Sequence, residues 1–114
     1  MRDVISHILR QLGFRSVFTA ADGIVAYRML KKGNFDFVVS DWNMPNMTGI
    51  QLLKAIRQND DLKSLPMLLV TSENKKKQIM EAAKSGVNSF IVKPFPPAEL
   101  ESKIKKIFPE WETS

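Results

Sequence analysis

Phe35-Asp36-Phe37-Val38-Val39-Ser40-Asp41-Trp42-Asn43-Met44-Pro45-Asn46-Met47-Thr48-Gly49 is the stretch that decides the fold. Its first six residues are mostly aromatic and β-branched, which reads as a buried strand over Phe35 to Ser40. The strand runs into an acid, Asp41, and then into a loop rich in Asn, Met and Pro that ends at Gly49. In open α/β sheets, ligands bind outside the carboxyl ends of the strands. A carboxylate at that position is a candidate nucleophile or metal ligand.

The flanking sequence repeats the alternation. Val4, Ile5, Ile8, Leu9 and Leu12 follow helical spacing and stop at Gly13. Ser16 to Ala20 reads as a short strand. Asp22 is placed to cap a helix carrying Ile24, Val25, Tyr27, Met29 and Leu30, closed by Gly33. Beyond the central stretch, Thr48 caps a helix with Ile50, Leu52, Leu53 and Ile56. Leu65 to Thr71 is an apolar strand opened by Pro66, where a ladder N–H is least needed. Ser72 opens a helix with Ile79, Met80, Ala82 and Ala83 that ends at Gly86. Val87 to Val92 is a further strand, and Pro96-Pro97 start a last helix with Leu100, Ile104, Ile107 and Phe108 on one face. Strands alternating with helices of about ten residues predict a parallel sheet covered on both faces, an α/β doubly wound fold.

Composition narrows the function classes. The 114 residues fit a single domain, 1–114, with a hydrophobic fraction of 44% and a charged fraction of 25%. There is no Cys, which excludes a disulfide framework and a thiolate metal site and is compatible with a reducing, cytoplasmic setting. No apolar run reaches the ~20 residues of a membrane span, so no membrane insertion is expected. The start, Met1-Arg2-Asp3-Val4, lacks the apolar core of a signal peptide. The net charge of +5 comes from lysines scattered over several helix faces. The densest run, Lys75-Lys76-Lys77, carries no interleaved aromatics, so a solvated surface is favoured over a nucleic-acid interface.

Three of the strands finish in residues that chemistry can use: Asp41, Thr71 and Lys93. Taken singly, each has a bland explanation as a turn opener, a cap neighbour or a surface lysine. Together they place an acid, a hydroxyl and an ammonium at equivalent ends of neighbouring parallel strands. Phosphoryl transfer suits such a set. A carboxylate is a nucleophile for an aspartyl phosphate, and an ammonium and a hydroxyl bind phosphoryl oxygens. The reaction asks the protein for position and charge neutralisation, commonly with Mg2+. The shared-site argument requires the Asp41 and Lys93 side chains to lie within about 10 Å, the reach of a direct or water-mediated contact.

The chain resembles the receiver domains of response regulators, and within them the single-domain chemotaxis receivers. The residues that carry the resemblance are Ser40 to Met47, Leu65 to Glu73, Val92-Lys93-Pro94-Phe95 and the Lys103 to Phe108 helix. The spacings from Asp41 to Thr71 and to Lys93 match as well. The resemblance implies a flavodoxin-like sheet and Asp41 as phosphoacceptor from a histidine kinase. It implies Thr71 as the signalling hydroxyl, Lys93 as the phosphate-binding lysine and the Asn43 carbonyl as a Mg2+ ligand beside Asp41. It further implies signalling to the flagellar motor switch through the face of the Lys75 helix, the Val87 strand and the Pro97 helix, with Phe90, Asn74 and Lys103 on it. Such a protein is a phosphoacceptor rather than an enzyme with a separate substrate.

The sequence also departs from that family. A receiver begins with an apolar strand ending in two adjacent acids, and here Met1 stands at the start of the helix that follows it. Two expectations follow: weakened Mg2+ binding, and reduced stability with either direct pairing of the Val17 and Phe37 strands or a strand-exchanged dimer in place of a monomer. Asp3 and Asp22 are not placed to substitute for the acid pair. On the partner face, Phe90 stands where chemotaxis receivers usually carry Tyr, and Asn74 and Pro96-Pro97 are also atypical. A phosphorylation-independent or inactive receiver-like binding module is therefore the competing reading. His7, the only histidine, reads as a solvated residue on the polar flank of its helix. Trp42 reads equally as a lid or as an exposed loop aromatic.

Overall fold

The structure is a computed structural model that describes residues 2–14, 18, 20, 22–44, 46–71 and 76–108. In chain order the elements are α1 (Arg2–Gln11), α2 (Gly23–Lys32), β1 (Val38–Asp41), α3 (Gly49–Gln58), β2 (Met67–Thr71), α4 (Lys76–Lys84), β3 (Ser89–Val92) and α5 (Pro97–Ile107). The described strands form one parallel sheet in the order β1-β2-β3.

The central strand organises the rest. Met67-Leu68-Leu69-Val70-Thr71 is buried at every position. Strand side chains alternate between faces, so a strand apolar at each residue must be covered twice. Met67 and Leu69 join one core with Leu30 of α2, Leu52, Leu53 and Ile56 of α3, and Ala82 of α4. Leu68 and Val70 join another with Ile8 of α1, Ile91 of β3, and Leu100 and Ile104 of α5. Phe14, Phe37 and Phe108 close the second core as an aromatic cluster, with ring centroids 5.2–6.2 Å apart.

Local chemistry sets the helix boundaries. Asp22 caps α2 by accepting the Val25 N–H at 2.8 Å. Thr48 and Gln51 form a reciprocal capping box at the start of α3. Gly13 and Gly86 adopt positive φ values of 105° and 91° just after α1 and α4, where a Cβ would be strained.

The strands are shorter at their starts than the hydrophobic runs suggest. β1 begins at Val38 rather than Phe35, β2 at Met67 rather than Leu65, and β3 at Ser89 rather than Val87. Apolar character reports burial, whereas a strand needs a ladder partner, and Phe35, Leu65 and Val87 are core residues on the approaches. At the other end β1 extends one residue further, so Asp41 itself belongs to the ladder. The Ser16–Ala20 strand, its proposed pairing with the Phe37 strand and the Ser72 cap fall mainly on residues outside those described. Phe18 is described, and its ring meets Phe35 edge-on at 5.6 Å.

One side chain ties the amino edge of the sheet together. Arg57, at the end of α3, donates from Nη1 to the Leu65 and Lys63 carbonyls at 2.6 and 3.1 Å, and from Nε to the Gly86 carbonyl at 2.9 Å. Its Nη2 donates to Asn88 Oδ1 at 3.0 Å, and that oxygen also accepts the Met67 N–H at 2.9 Å. Burial lowers the Arg57 pKa, but a guanidinium keeps its proton in proteins. Arg57→Met preserves the stem and removes every donor. It is expected to cost about 1–3 kcal/mol, because carbonyls on the approaches to two strands lose their partners. Thermal denaturation measures this, and an unchanged melting temperature would show that the network is incidental.

Candidate phosphoryl-transfer site

The ladder register brings the strand ends to one level. Asp41 pairs with Val70 and Thr71 pairs with Val92. Asp41 and Thr71 are thus the last residues of β1 and β2, and Lys93 is the first residue beyond β3. Backbone bonds hold these exits. The Trp42 N–H donates to the Val70 carbonyl, and the Lys93 N–H to the Thr71 carbonyl, each at 2.7 Å. The Lys93–Pro94 peptide is cis.

The side chains of Asp41 and Lys93 meet. Lys93 Nζ lies 2.9 Å from Asp41 Oδ1, and each side chain retains about a quarter of its exposure, 27% and 26%. Oδ1 itself is buried, and among the described residues no group approaches it with hydrogen-bond alignment. The contact is therefore a charge pair at hydrogen-bond distance without hydrogen-bond geometry. A buried carboxylate oxygen in that condition has unused acceptor capacity, which a group entering the cleft can take. Thr71, on the neighbouring strand, is buried at 4% exposure.

The loop after Asp41 is held tightly. The Gly49 N–H donates to the Trp42 carbonyl at 2.8 Å. A Cβ on Gly49 would stand 2.2 Å from the Asp41 carbonyl oxygen, so only glycine lets α3 start this close to the acid. Ser40, buried beside Asp41, donates its hydroxyl to the Asp41 carbonyl at 2.9 Å and reaches Met44 Sδ at 3.8 Å. Trp42 is 9% exposed and belongs to the core with Leu30 and Ile50. Both expectations for Trp42 are corrected: its ring packs under the loop, because the apolar surface between α2 and α3 gives it more to bury against than solvent does.

The other residues singled out in the sequence are placed as follows. Asn43 is exposed in the loop directly after Trp42. Phe90 is half-buried against the α2–α3–α4 core, with Lys103 Nζ 5.4 Å above its ring centroid. His7 is exposed on α1. Asn74 and Glu73 lie outside the described residues.

Fit to Mg2+ can be judged from the donors present. Asp41 offers an under-used carboxylate, and Asn43 a loop carbonyl one residue beyond Trp42. Among the described residues no group of three His, Cys, Asp or Glu side chains comes together to hold a metal ion. The described residues therefore do not complete the octahedral oxygen set that Mg2+ demands.

Two connections were missed in the sequence reading. Asn46, at φ 67°, donates through Nδ2 to Asp22 Oδ2 at 3.0 Å. Gly23 packs so closely on the same loop that a Cβ would lie 2.2 Å from the Met47 carbonyl oxygen. The Asp22-Gly23 dipeptide and Asn46 carried the signal, a cap-and-turn pair and a residue tolerant of left-handed backbone. Their partnership needed the fold. The hydrogen bonds to Val25 and Asn46 lower the Asp22 pKa below its ordinary 3.8. No described helix is long and apolar enough to cross a membrane.

Comparison with known proteins agrees with this geometry. The model of the response regulator receiver domain matches residues 1–105. The chain is 56% identical over 108 residues to chemotaxis protein CheY-3 of Vibrio cholerae, covering 95% of this chain and 83% of that protein. It is also 56% identical over 108 residues to chemotaxis protein CheY of Pseudomonas aeruginosa, covering 95% and 87%. Among solved structures, V. cholerae CheY4 superposes with a TM-score of 0.85 at 37% identity, over 93% of this chain and 88% of that one. The receiver domain of a P. aeruginosa sensor histidine kinase, solved with a magnesium ion in its active-site cleft, gives 0.79 at 29% identity, over 96% and 86%. With the matched model spanning nearly the whole chain and strand ends that carry Asp41, Thr71 and Lys93, the protein belongs to the response-regulator receiver family, in its chemotaxis, CheY-like branch.

Proposed function

We propose that this chain is a chemotaxis response regulator that accepts a phosphoryl group from a histidine kinase on Asp41 and relays that state through α4, β3 and α5. The observation that carries the reading is the Asp41–Lys93 pair, with a buried carboxylate oxygen short of aligned donors among the described residues and an ammonium 2.9 Å away. A carboxylate oxygen of Asp41 attacks phosphorus as the bond from phosphorus to the donor's leaving atom breaks. The leaving group departs with the electron pair and takes a proton, and Asp41 becomes an acyl phosphate. Lys93 then offsets charge on the phosphoryl oxygens as a point cation. Thr71 is the hydroxyl that turns toward the new phosphate. The described residues do not complete a Mg2+ donor set, so the charge neutralisation derived for this site is that of Lys93. The protein acts as its own phosphoacceptor rather than as an enzyme with a separate substrate.

The relay depends on space near Thr71 that an aromatic ring can enter, and Phe90 is the ring. Lys103 over its face and the lysines of α4 and α5 suit an acidic partner segment, of the kind a flagellar motor switch protein would present. A second reading, a phosphorylation-independent binding module, is favoured by the incomplete metal donor set among the described residues.

Mg2+-dependent labelling by acetyl phosphate separates the two. Label should appear in the 114-residue chain and vanish in Asp41→Asn; an unlabelled wild-type chain would remove the phosphoacceptor reading and leave the binding module. Phe90→Tyr is expected to tighten binding of the phosphorylated protein to an acidic switch peptide. Tyr can supply the hydrogen bond that Phe withholds from a buried partner group, worth about 1–3 kcal/mol. Equal affinities for wild type and Phe90→Tyr in a titration would make the ring hydroxyl irrelevant and move attention to Pro96-Pro97.

A further inference from the structure

The Trp42–Gly49 loop is fixed at both ends by groups that any strand-to-helix connection needs, the Trp42–Val70 and Gly49–Trp42 backbone bonds. Its middle is fixed differently. Asp22, a residue of another element some distance back in the chain, uses one carboxylate oxygen to cap α2 and the other to hold Asn46. Gly23 lets the α2 start press against Met47. Asn46 stands at φ 67°, a conformation that Asn tolerates better than most residues but that still needs support from its surroundings. The stretch between Trp42 and Asn46 includes Asn43, the exposed loop residue two positions beyond Asp41.

We infer that Asp22 is a positioning residue for phosphoryl transfer, holding the loop beyond Asp41 in its reactive arrangement through its hydrogen bond to Asn46. The inference rests on the phosphoacceptor reading and adds to it the residue that caps α2, outside the three strand ends. Neither Asp22 nor Asn46 contacts the reacting atoms. Their effect passes through the loop backbone, which is anchored at Trp42 and Gly49 by backbone bonds and at Met47 by the close approach of Gly23, with Asn46 held at φ 67° between them.

Two single variants remove the bond from opposite sides with little disturbance. Asp22→Ser keeps an oxygen for the Val25 N–H but is too short to reach Asn46 as well. Asn46→Gly keeps the left-handed backbone and deletes the amide. The double swap Asp22→Asn with Asn46→Asp restores a bonded pair with donor and acceptor exchanged: Asn is as good a cap as Asp, and Asp tolerates the same backbone.

Two readouts on the full chain test the inference. The backbone amide resonances of Trp42 and Asn43 report the loop without any phosphorylation. The rate of labelling by acetyl phosphate reports the chemistry. Each single variant should shift or broaden those amides and slow labelling about tenfold, within the ~100-fold that misplacing a reacting group by 1 Å can cost. The double variant Asp22→Ser with Asn46→Gly should be no slower than either single, since both remove one bond. The swap should recover both readouts. A purely structural role for Asp22 would lower the melting temperature in Asp22→Ser without recovery of rate by the swap. Unchanged amides, unchanged labelling rates, or a swap as slow as the singles would each overturn the inference. An unlabelled wild type is a distinct result: it removes the phosphoacceptor reading and this inference with it, while the amide resonances still report whether the loop is held.

Discussion

Everything in this domain depends on a central strand that has no exposed residue. β2 is buried from Met67 to Thr71, so both of its faces and both of its edges must be covered. β1 and β3 cover the edges by parallel pairing, and the two helical layers cover the faces. Parallel pairing has a chemical consequence that antiparallel pairing lacks. It delivers every strand's carboxyl end to one side, and the register sets those ends level. An acid and an ammonium well separated in sequence therefore finish 2.9 Å apart without any local motif connecting them.

The same burial governs how the site is tuned. Asp41 is the last rung of β1, so its backbone is fixed by the ladder and its side chain must leave from a defined point. One of its oxygens is shielded and, among the described residues, is offered a misaligned ammonium alone. In water that oxygen would be solvated at no cost. In the cleft its nearest described cation is the Lys93 ammonium, 2.9 Å away. The close approach of Gly49 to the Asp41 carbonyl and of Gly23 to Met47 keeps α3 and α2 pressed on the loop. At both glycines the nearest atom to the missing Cβ is a backbone carbonyl oxygen, so a side chain there would force the backbone apart.

Much of the fold could be read from pattern. All five described helices were legible from 3.6-residue periodicity, caps and terminating glycines, since these are local signals. The three described strands were legible too, but their starts were not. Phe35, Leu65 and Val87 are apolar because they join the core, and apolarity alone cannot say whether a ladder partner is present. Trp42 was misjudged for a related reason. A loop aromatic beside a polar site is ambiguous until the helices that bury it are in place.

The sequence by itself determined the alternation of elements and the residue types at three strand ends, because periodicity, capping and strand composition act over a few residues. It also carried the family resemblance that the comparisons bear out. Only the tertiary structure decided which of those residues touch. The strand ends led to the expectation that Asp41 and Lys93 share a site, which closure makes a 2.9 Å contact, whereas the Asp22–Asn46 bond and the Arg57 network join residues whose separation along the chain contains no signal of their meeting. Such pairings are set by sheet register and by how closely helices can approach a loop, and those quantities exist only once the whole core has closed.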